Sequence, residues 1–192
     1  ITQLEVDKLI NPLGLDSRNP DFSWIIKSDE YDLNQTHYQL FVATDKMFSK
    51  KSLVWDSGKV NSSESVYVKY QGKSLEYATK YYWTVKVWTN QSTKPKQSKI
   101  SSWTTGLMDK KYWNSDWIGV NNDDRKGPKS PYFTNDFVVG SKITSASLFI
   151  TSRGIYEAHI NGKRVGKSYL TPGWTSYNNR IQYQAYDVKD ML

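Results

Sequence analysis

The residues whose types could do chemistry are few and scattered along the chain. Two adjacent acidic pairs, Asp29-Glu30 and Asp123-Asp124, supply carboxylates. Two carboxylates facing each other across a sugar cleft would suit glycoside hydrolysis. Both pairs lie in polar stretches between predicted strands, where charge runs are ordinarily solvated loops. Calcium binding at Asp123-Asp124 has no D-x-D-x-D-G spacing to support it. His37 and His159 are the only histidines, and no serine nucleophile motif accompanies either. A triad or a two-histidine metal site is therefore not expected, and both read as surface or rim residues. The chain has no cysteine, which excludes disulfides and thiolate metal sites. No P-loop, GxGxxG, HExxH or GxSxG occurs. The residues thus assign no catalytic group, no cofactor and no metal.

Aromatic side chains are the remaining hardware, since an indole or phenol face covers the C–H patch of a pyranose ring. Tyr82 and Trp88 fall on the strand face opposite Tyr81, Trp83, Val85 and Val87, and Trp174 sits in a turn. These three are the candidate sugar or interface aromatics. Packing against the linker or another module is the favoured reading, because exposed aromatic patches mark protein interfaces at least as often. Three Asn-x-Ser/Thr tripeptides, at Asn34, Asn61 and Asn90, carry no functional weight.

The elements that must hold these residues read as short strands. Leu4 and Val6 mark a first. Phe22, Trp24 and Ile26 share one face of a second, and Tyr38, Leu40 and Val42 one face of a third. Asp45 to Val54 suggests a short helical turn. Ser65 to Tyr70 is a further strand through Val66, Val68 and Tyr70. Leu75, Thr79 and Tyr81 precede the strand carrying Trp83, Val85 and Val87, a pattern that suits the tyrosine corner of an immunoglobulin-like sandwich. Fibronectin-type-III modules usually carry proline two residues after that leucine, and Tyr77 stands there instead. With Ser102 to Thr105 the count reaches about seven strands, as such a sandwich requires. Leu107, Trp113, Trp117 and Ile118 are too apolar for a free tether and are expected to seat a second module on the first. Asn121 to Pro131 reads as an exposed loop, and Tyr132 to Val139 as the first strand beyond it.

Asn161-Gly162 lies between the alternating Tyr156–Ile160 and Lys163–Val165. Two residues that tolerate positive φ predict a type I′ hairpin, with Tyr156, Ala158 and Ile160 on one face and Glu157 and His159 on the other. Thr171 to Trp174 predicts a turn, and Arg180 to Tyr186 a strand through Ile181, Tyr183 and Ala185.

The runs Ile150–Glu157, Ile160–Val165, Thr171–Thr175 and Gln182–Val188 together resemble the amino-terminal β-sandwich of bacterial α-L-rhamnosidases of glycoside hydrolase family 78. The first hundred or so residues resemble the fibronectin-type-III-like module that precedes it. The expected fold class is therefore all-β. An immunoglobulin/fibronectin-type-III-like sandwich spans 1–106, a packed linker 107–119, and the amino-terminal part of a jelly-roll-like β-sandwich 120–192. The resemblance implies a parent that removes terminal α-L-rhamnose with inversion, using two carboxylic residues of a downstream helical-barrel domain. None of those residues can be carried onto this chain, which is read as a non-catalytic accessory region. The partner so implied is the downstream catalytic domain. A carbohydrate-binding module holding a rhamnose-containing glycan, and a stand-alone adhesion or interaction module, stay open as alternatives.

The chain has 192 residues, a formal net charge of +7 and 15% aromatic residues. The excess of lysine reads as a soluble surface, since Lys50-Lys51 and Lys110-Lys111 are isolated pairs, and no nucleic-acid partner is expected. No apolar run approaches the ~20 residues of a membrane span. No signal peptide is visible from Ile1, which reads as an artificial or processing boundary. The resemblance points to a bacterium, with a periplasmic or secreted location favoured over the cytoplasm. A jelly roll needs about eight strands, and only about five can be placed after Tyr132. Leu148, Ile150, Tyr156, Ile160, Ile181 and Tyr183 should then lack part of their cover, and open strand edges favour self-association.

Overall fold

The computed structural model describes residues 1–120, 130–140 and 142–192. The fold is all-β, with short 3-10 turns at Lys110–Tyr112 and Lys189–Met191. Nine strands build the first region: β1 Thr2–Val6, β2 Asp21–Ile25, β3 Gln35–Ala43, β4 Leu53–Asp56, β5 Val60–Asn61, β6 Val68–Lys69, β7 Lys80–Thr89, β8 Ser92–Gln97 and β9 Ser101–Thr104. One sheet runs β1-β2-β6. The other runs β4-β3-β7-β8, with β5 paired to β3 and β9 to β7. Alternation decides which side chains lie between the sheets. Tyr38, Leu40 and Val42 of β3 and Tyr81, Trp83, Val85 and Val87 of β7 are all buried, together with Phe22 and Trp24 of β2.

Aromatic rings fill most of that space. Phe22 lies edge-on to Trp83 at 4.8 Å and to Trp103 at 5.5 Å. Trp24 meets Tyr38 edge-on at 5.4 Å. Such offset and edge contacts suit the ring quadrupoles. A buried polar link closes one end of the core. The Trp24 indole N–H donates to Gln35 Oε1 at 3.0 Å, and Gln35 Nε2 donates to the carbonyls of Ser62 at 3.1 Å and Glu64 at 2.7 Å.

Tyr81 forms the expected corner. Its hydroxyl accepts from the backbone N–H of Glu76, a few residues upstream, at 2.8 Å. The ring stacks on Trp103 at 5.2 Å. Tyr77, where proline is usual, stacks on Tyr112 at 3.8 Å and 15°. The departure from the pattern thus docks the segment that follows β9. Tyr81→Phe leaves the Glu76 N–H without its acceptor, and should cost about 1 kcal/mol. A lowered urea midpoint is the expected result, and an unchanged midpoint would remove Tyr81 from this role.

Two local readings fall short of the structure, while the short helical turn expected within Asp45 to Val54 is met by a single turn before β4, in which Ser52 N–H and Leu53 N–H both donate to Ser49 C=O at 3.0 Å. The Asp45 carboxylate accepts from Met47 N–H at 2.8 Å and from Ser49 Oγ at 3.0 Å, a side-chain mimic of a backbone turn. The strand read from Ser65 shrinks to β6, because Tyr67 adopts φ 55° and breaks the ladder. β8 has no counterpart in the sequence reading. Its run Ser-Thr-Lys-Pro-Lys-Gln is wholly exposed, so it carries no apolar alternation to detect. Lysines and a proline are what an edge strand uses against unwanted pairing.

The second region contains β10 Ser147–Ile150, β11 His159–Ile160, β12 Lys163–Arg164 and β13 Gln184–Asp187. β10 pairs antiparallel with β13, and β11 with β12 through Asn161-Gly162, whose φ values are 50° and 73°. That is the expected I′ hairpin. These strands are shorter than their sequence runs, and Tyr132 to Val139 forms no strand. A strand needs a partner for its N–H and C=O groups, and among the described residues that segment has none. Its side chains point into solvent, with Tyr132 86% and Val138 100% exposed. Leu148, Ile150, Tyr156, Ile160, Ile181 and Tyr183 are all half-buried, as expected of a sandwich lacking part of its cover.

Candidate functional site: the junction and the aromatic positions

The most elaborate polar constellation joins the two regions. Leu15 forms a parallel bridge with Thr105, and Gly106 N–H donates to Leu15 C=O at 2.8 Å. This sets Asp16 beside the end of the first region. Asp16 Oδ1 accepts from Met108 N–H at 2.8 Å and from the Tyr183 hydroxyl at 2.7 Å. That hydroxyl accepts in turn from Leu107 N–H at 3.0 Å. Burial pushes the Tyr183 phenol far above its usual 10.0, and the Asp16 carboxylate adds to the rise. Tyr183 therefore stays protonated and keeps donating at any ordinary pH.

Packing tightens the same junction. Trp113 lies 5.6 Å from the Tyr183 ring, and Phe149 6.0 Å on another side. A Cβ on Gly14, which has φ 72°, would come within 2.6 Å of Ala185 Cβ. Phe149 and Ala185 are register partners, so this face of the β10–β13 sheet meets the first region. The opposite face carries Gln184 and Tyr186, which meet the Tyr156 hydroxyl at 2.9 and 3.1 Å. Leu107 and Trp113 thus help seat the second region as expected. Trp117 touches the second region more lightly, with the Arg153 guanidinium 5.6 Å from its ring while it stays 57% exposed, and Ile118 is 72% exposed. The cleft at the junction, between Leu13, Thr104, Ala146 and Tyr186, holds only about 70 Å³. Small-molecule pockets run to about 300–1,000 Å³, so the junction is a joint and not a sugar site.

The three aromatic candidates are not brought together. Tyr82 and Trp88 share the outward face of β7 and are half-buried. Each has a lysine over its ring: Lys46 and Lys80 at 5.7 and 5.9 Å from Tyr82, Lys59 at 4.8 Å from Trp88. Such cation–π contacts contribute about 0.5–1 kcal/mol at exposed sites. A neutral sugar would have to displace them to stack. Trp88 also lines an open cleft of about 350 Å³ with Thr36, His37, Lys59 and Asn90. His37 Nδ1 lies 3.1 Å from Thr36 Oγ1. Trp174 belongs to the second region, is 88% exposed and lies 6.0 Å from the Tyr177 ring.

The remaining described candidates, Asp29-Glu30 and His159, line neither of these two clefts. Asp29-Glu30 is exposed, and Asp123-Asp124 lies outside the described residues. His159 is on the exposed face of its hairpin, where Glu157 lies 3.3 Å from its Nε2 and 3.0 Å from Arg164 Nε. Among the described residues, no group of three or more His, Asp or Glu is placed to hold a metal ion. Among the same residues, no helix is long and apolar enough to cross a membrane.

An immunoglobulin-like sandwich followed by a second all-β region is the class that this fold defines. Residues 1–109 match the family model described as "Rha78A-like, N-terminal immunoglobulin domain", and the chain belongs to that family. Residues 141–192 match the model described as "Alpha-L-rhamnosidase N-terminal domain". An α-L-rhamnosidase of Formosa agariphila is 33% identical over 219 residues, covering 100% of this chain and 23% of the relative. The α-L-rhamnosidase structure from Dictyoglumus thermophilum superposes with a TM-score of 0.86 at 33% identity, covering 100% of this chain and 23% of that one. The Streptomyces avermitilis α-L-rhamnosidase, complexed with L-rhamnose, gives 0.62 at 28% identity, covering 100% and 20%. The chain therefore spans between a fifth and a quarter of the length of these relatives.

Proposed function

We propose that this chain is the non-catalytic accessory region of an α-L-rhamnosidase, a scaffold that packs against the catalytic domain of its parent and shapes its rim. The observation that carries this is the match of both regions to amino-terminal domains of that enzyme type. The parent would hydrolyse terminal α-L-rhamnose from glycosides with a pair of carboxylic residues elsewhere in its chain. In this reading 1–106 is the first module, 107–119 the packed linker, and 120–192 the start of a second sandwich. Tyr132, Phe137 and Val138 are exposed apolar residues of the kind that a covering domain would bury. The test is made in the full-length gene product. Removing residues 1–192 should lower its melting temperature and leave its hydrolytic carboxylates in place. A truncated parent that melts and turns over as the intact one does would overturn the scaffold.

The exposure of Trp174 favours a second reading, in which the region also holds a rhamnose-containing glycan. Calorimetry giving sub-millimolar affinity for rhamnose, abolished by Trp174→Ala, is the result that reading requires. Without the parent, the open edge of the β10–β13 sheet and the bare Tyr132–Val139 segment should drive self-association. Light scattering of the 192-residue chain should show mass rising with concentration. Strictly monomeric scattering, with no binding of an apolar-surface dye, would contradict it.

A further inference from the structure

The outward face of the β3–β7 pair is a strip of rings under cations. Cross-strand register places His37 beside Trp88, Gln39 beside Lys86, Phe41 beside Thr84 and Ala43 beside Tyr82. Tyr82 and Trp88 are six residues apart, which spans about 20 Å at roughly 3.3 Å per residue. Phe41 lies between them, and Lys86 Nζ is 5.1 Å from its ring. All three outward aromatics therefore have at least one ammonium above them, from Lys46, Lys59, Lys80 and Lys86. None of these four lysines makes an ion pair among the described residues. Asp56 is the only carboxylate in β3, β4 and β7, and it is occupied by Gln39 Nε2 at 2.7 Å and Gly58 N–H at 2.9 Å. The open cleft of about 350 Å³ lies at the Trp88 end of the strip.

We propose that this face binds an acidic saccharide, an oligomer bearing carboxylate or sulfate groups. The inference rests on the reading that the chain serves a glycosidase, which favours a sugar over other polyanions. The placement of the lysines selects the charge. For a neutral sugar, each ammonium obstructs the ring it covers. For an acidic sugar, the carboxylate or sulfate draws the ammonium aside, and the pyranose C–H face takes its place on the ring. The same ammonium groups that exclude one ligand then hold the other. The length of the strip matches an extended chain of several sugar units and not a monosaccharide. Trp174, with no cation over its ring among the described residues, lies outside this strip.

The experiment uses the 192-residue chain and three probes: an oligogalacturonate, a neutral rhamnose disaccharide and a (dT)10 oligonucleotide. Titration at low salt should give binding of the oligogalacturonate, weakened as salt rises, and no measurable binding of the neutral disaccharide. Replacing both Lys59→Gln and Lys86→Gln should weaken oligogalacturonate binding about three- to tenfold, the range expected for losing two exposed charge contacts. Lys110→Gln with Lys111→Gln, remote from the strip, should change it less than about twofold by the same scale. Unaltered melting confirms that the variants are folded. Equal affinity for the neutral disaccharide, indifference to Lys59 and Lys86, or failure to bind oligogalacturonate would each overturn the proposal. Tighter binding of (dT)10 through the same lysines would overturn it in favour of a nucleic acid. Failure on any of these counts leaves the scaffold reading intact, because that reading is tested by truncating the parent.

Discussion

Gln35→Ala should destabilise the first region by about 3 kcal/mol. The side chain is buried and makes three hydrogen bonds, to the Trp24 indole and to the carbonyls of Ser62 and Glu64. Alanine removes all three and leaves the Trp24 N–H buried without an acceptor. The orphaned buried Trp24 N–H costs about 1–3 kcal/mol, and the lost bonds to the carbonyls of half-buried Ser62 and exposed Glu64 add about 0.5–1.5 kcal/mol each. Gln35 also ties β2 and β3 to the segment that carries Ser62 and Glu64, so the loss falls on both sheets at once. For a chain of this size the melting temperature should drop by roughly 6–12 °C. Gln35→Glu is an informative companion. It keeps the acceptor for Trp24, and it replaces the donor to the two carbonyls with an oxygen that repels them. A drop of less than about 1 kcal/mol for Gln35→Ala would show that water replaces the lost partners and that this end of the core is wet.

Gly106→Val should uncouple the two regions. A Cβ at Gly106 would collide with the Tyr183 hydroxyl and with Asp16 Oδ1, the two groups at the centre of the junction. Neither can retreat cheaply, because each is held by the other and by the amides of Leu107 and Met108. The collision therefore breaks several linked hydrogen bonds together, at a cost of about 3 kcal/mol. Amide exchange reads this directly. Leu107 and Met108 should exchange about a hundredfold faster in the variant, as local opening becomes easier by nearly that energy. The Tyr81 corner lies within the first region, and its Glu76 amide should keep its protection. Unchanged exchange at Leu107 and Met108 would mean that the junction is not held through this cluster.

Much of the first region is legible in the sequence, because its strands alternate cleanly. Tyr38, Leu40 and Val42, and Tyr81, Trp83, Val85 and Val87, are buried as their spacing requires. The Asn161-Gly162 hairpin is legible for a different reason, since two residues with positive φ leave few other turns. β8 is not legible, because an edge strand of polar residues has no face to bury. Tyr132 to Val139 misleads in the opposite way. It reads as a strand, but a strand forms only when something pairs with it.

The junction is the part that reasoning along the chain misses. Asp16 looks like any loop carboxylate, and Tyr183 like one more inward aromatic of an alternating strand. Their meeting joins residues 167 positions apart in sequence. The Leu15–Thr105 bridge and the docking of the β10–β13 sheet bring them together, and no local pattern encodes either. The apolar linker did signal that some packing occurs there. Leu107 and Trp113 take part, while Trp117 and Ile118 remain exposed. The lysines over Tyr82 and Trp88 were equally hidden, because Lys46 and Lys59 reach those rings from loops outside the strand that carries them.

The most direct test of the accessory role is an assay of the purified 192-residue chain on 4-nitrophenyl α-L-rhamnoside. If the carboxylates that cleave rhamnosides belong to another part of the parent, nitrophenol release should equal the buffer blank at any protein concentration. Release above the blank, rising in proportion to the amount of pure chain, would contradict that role and place a hydrolytic site within these residues.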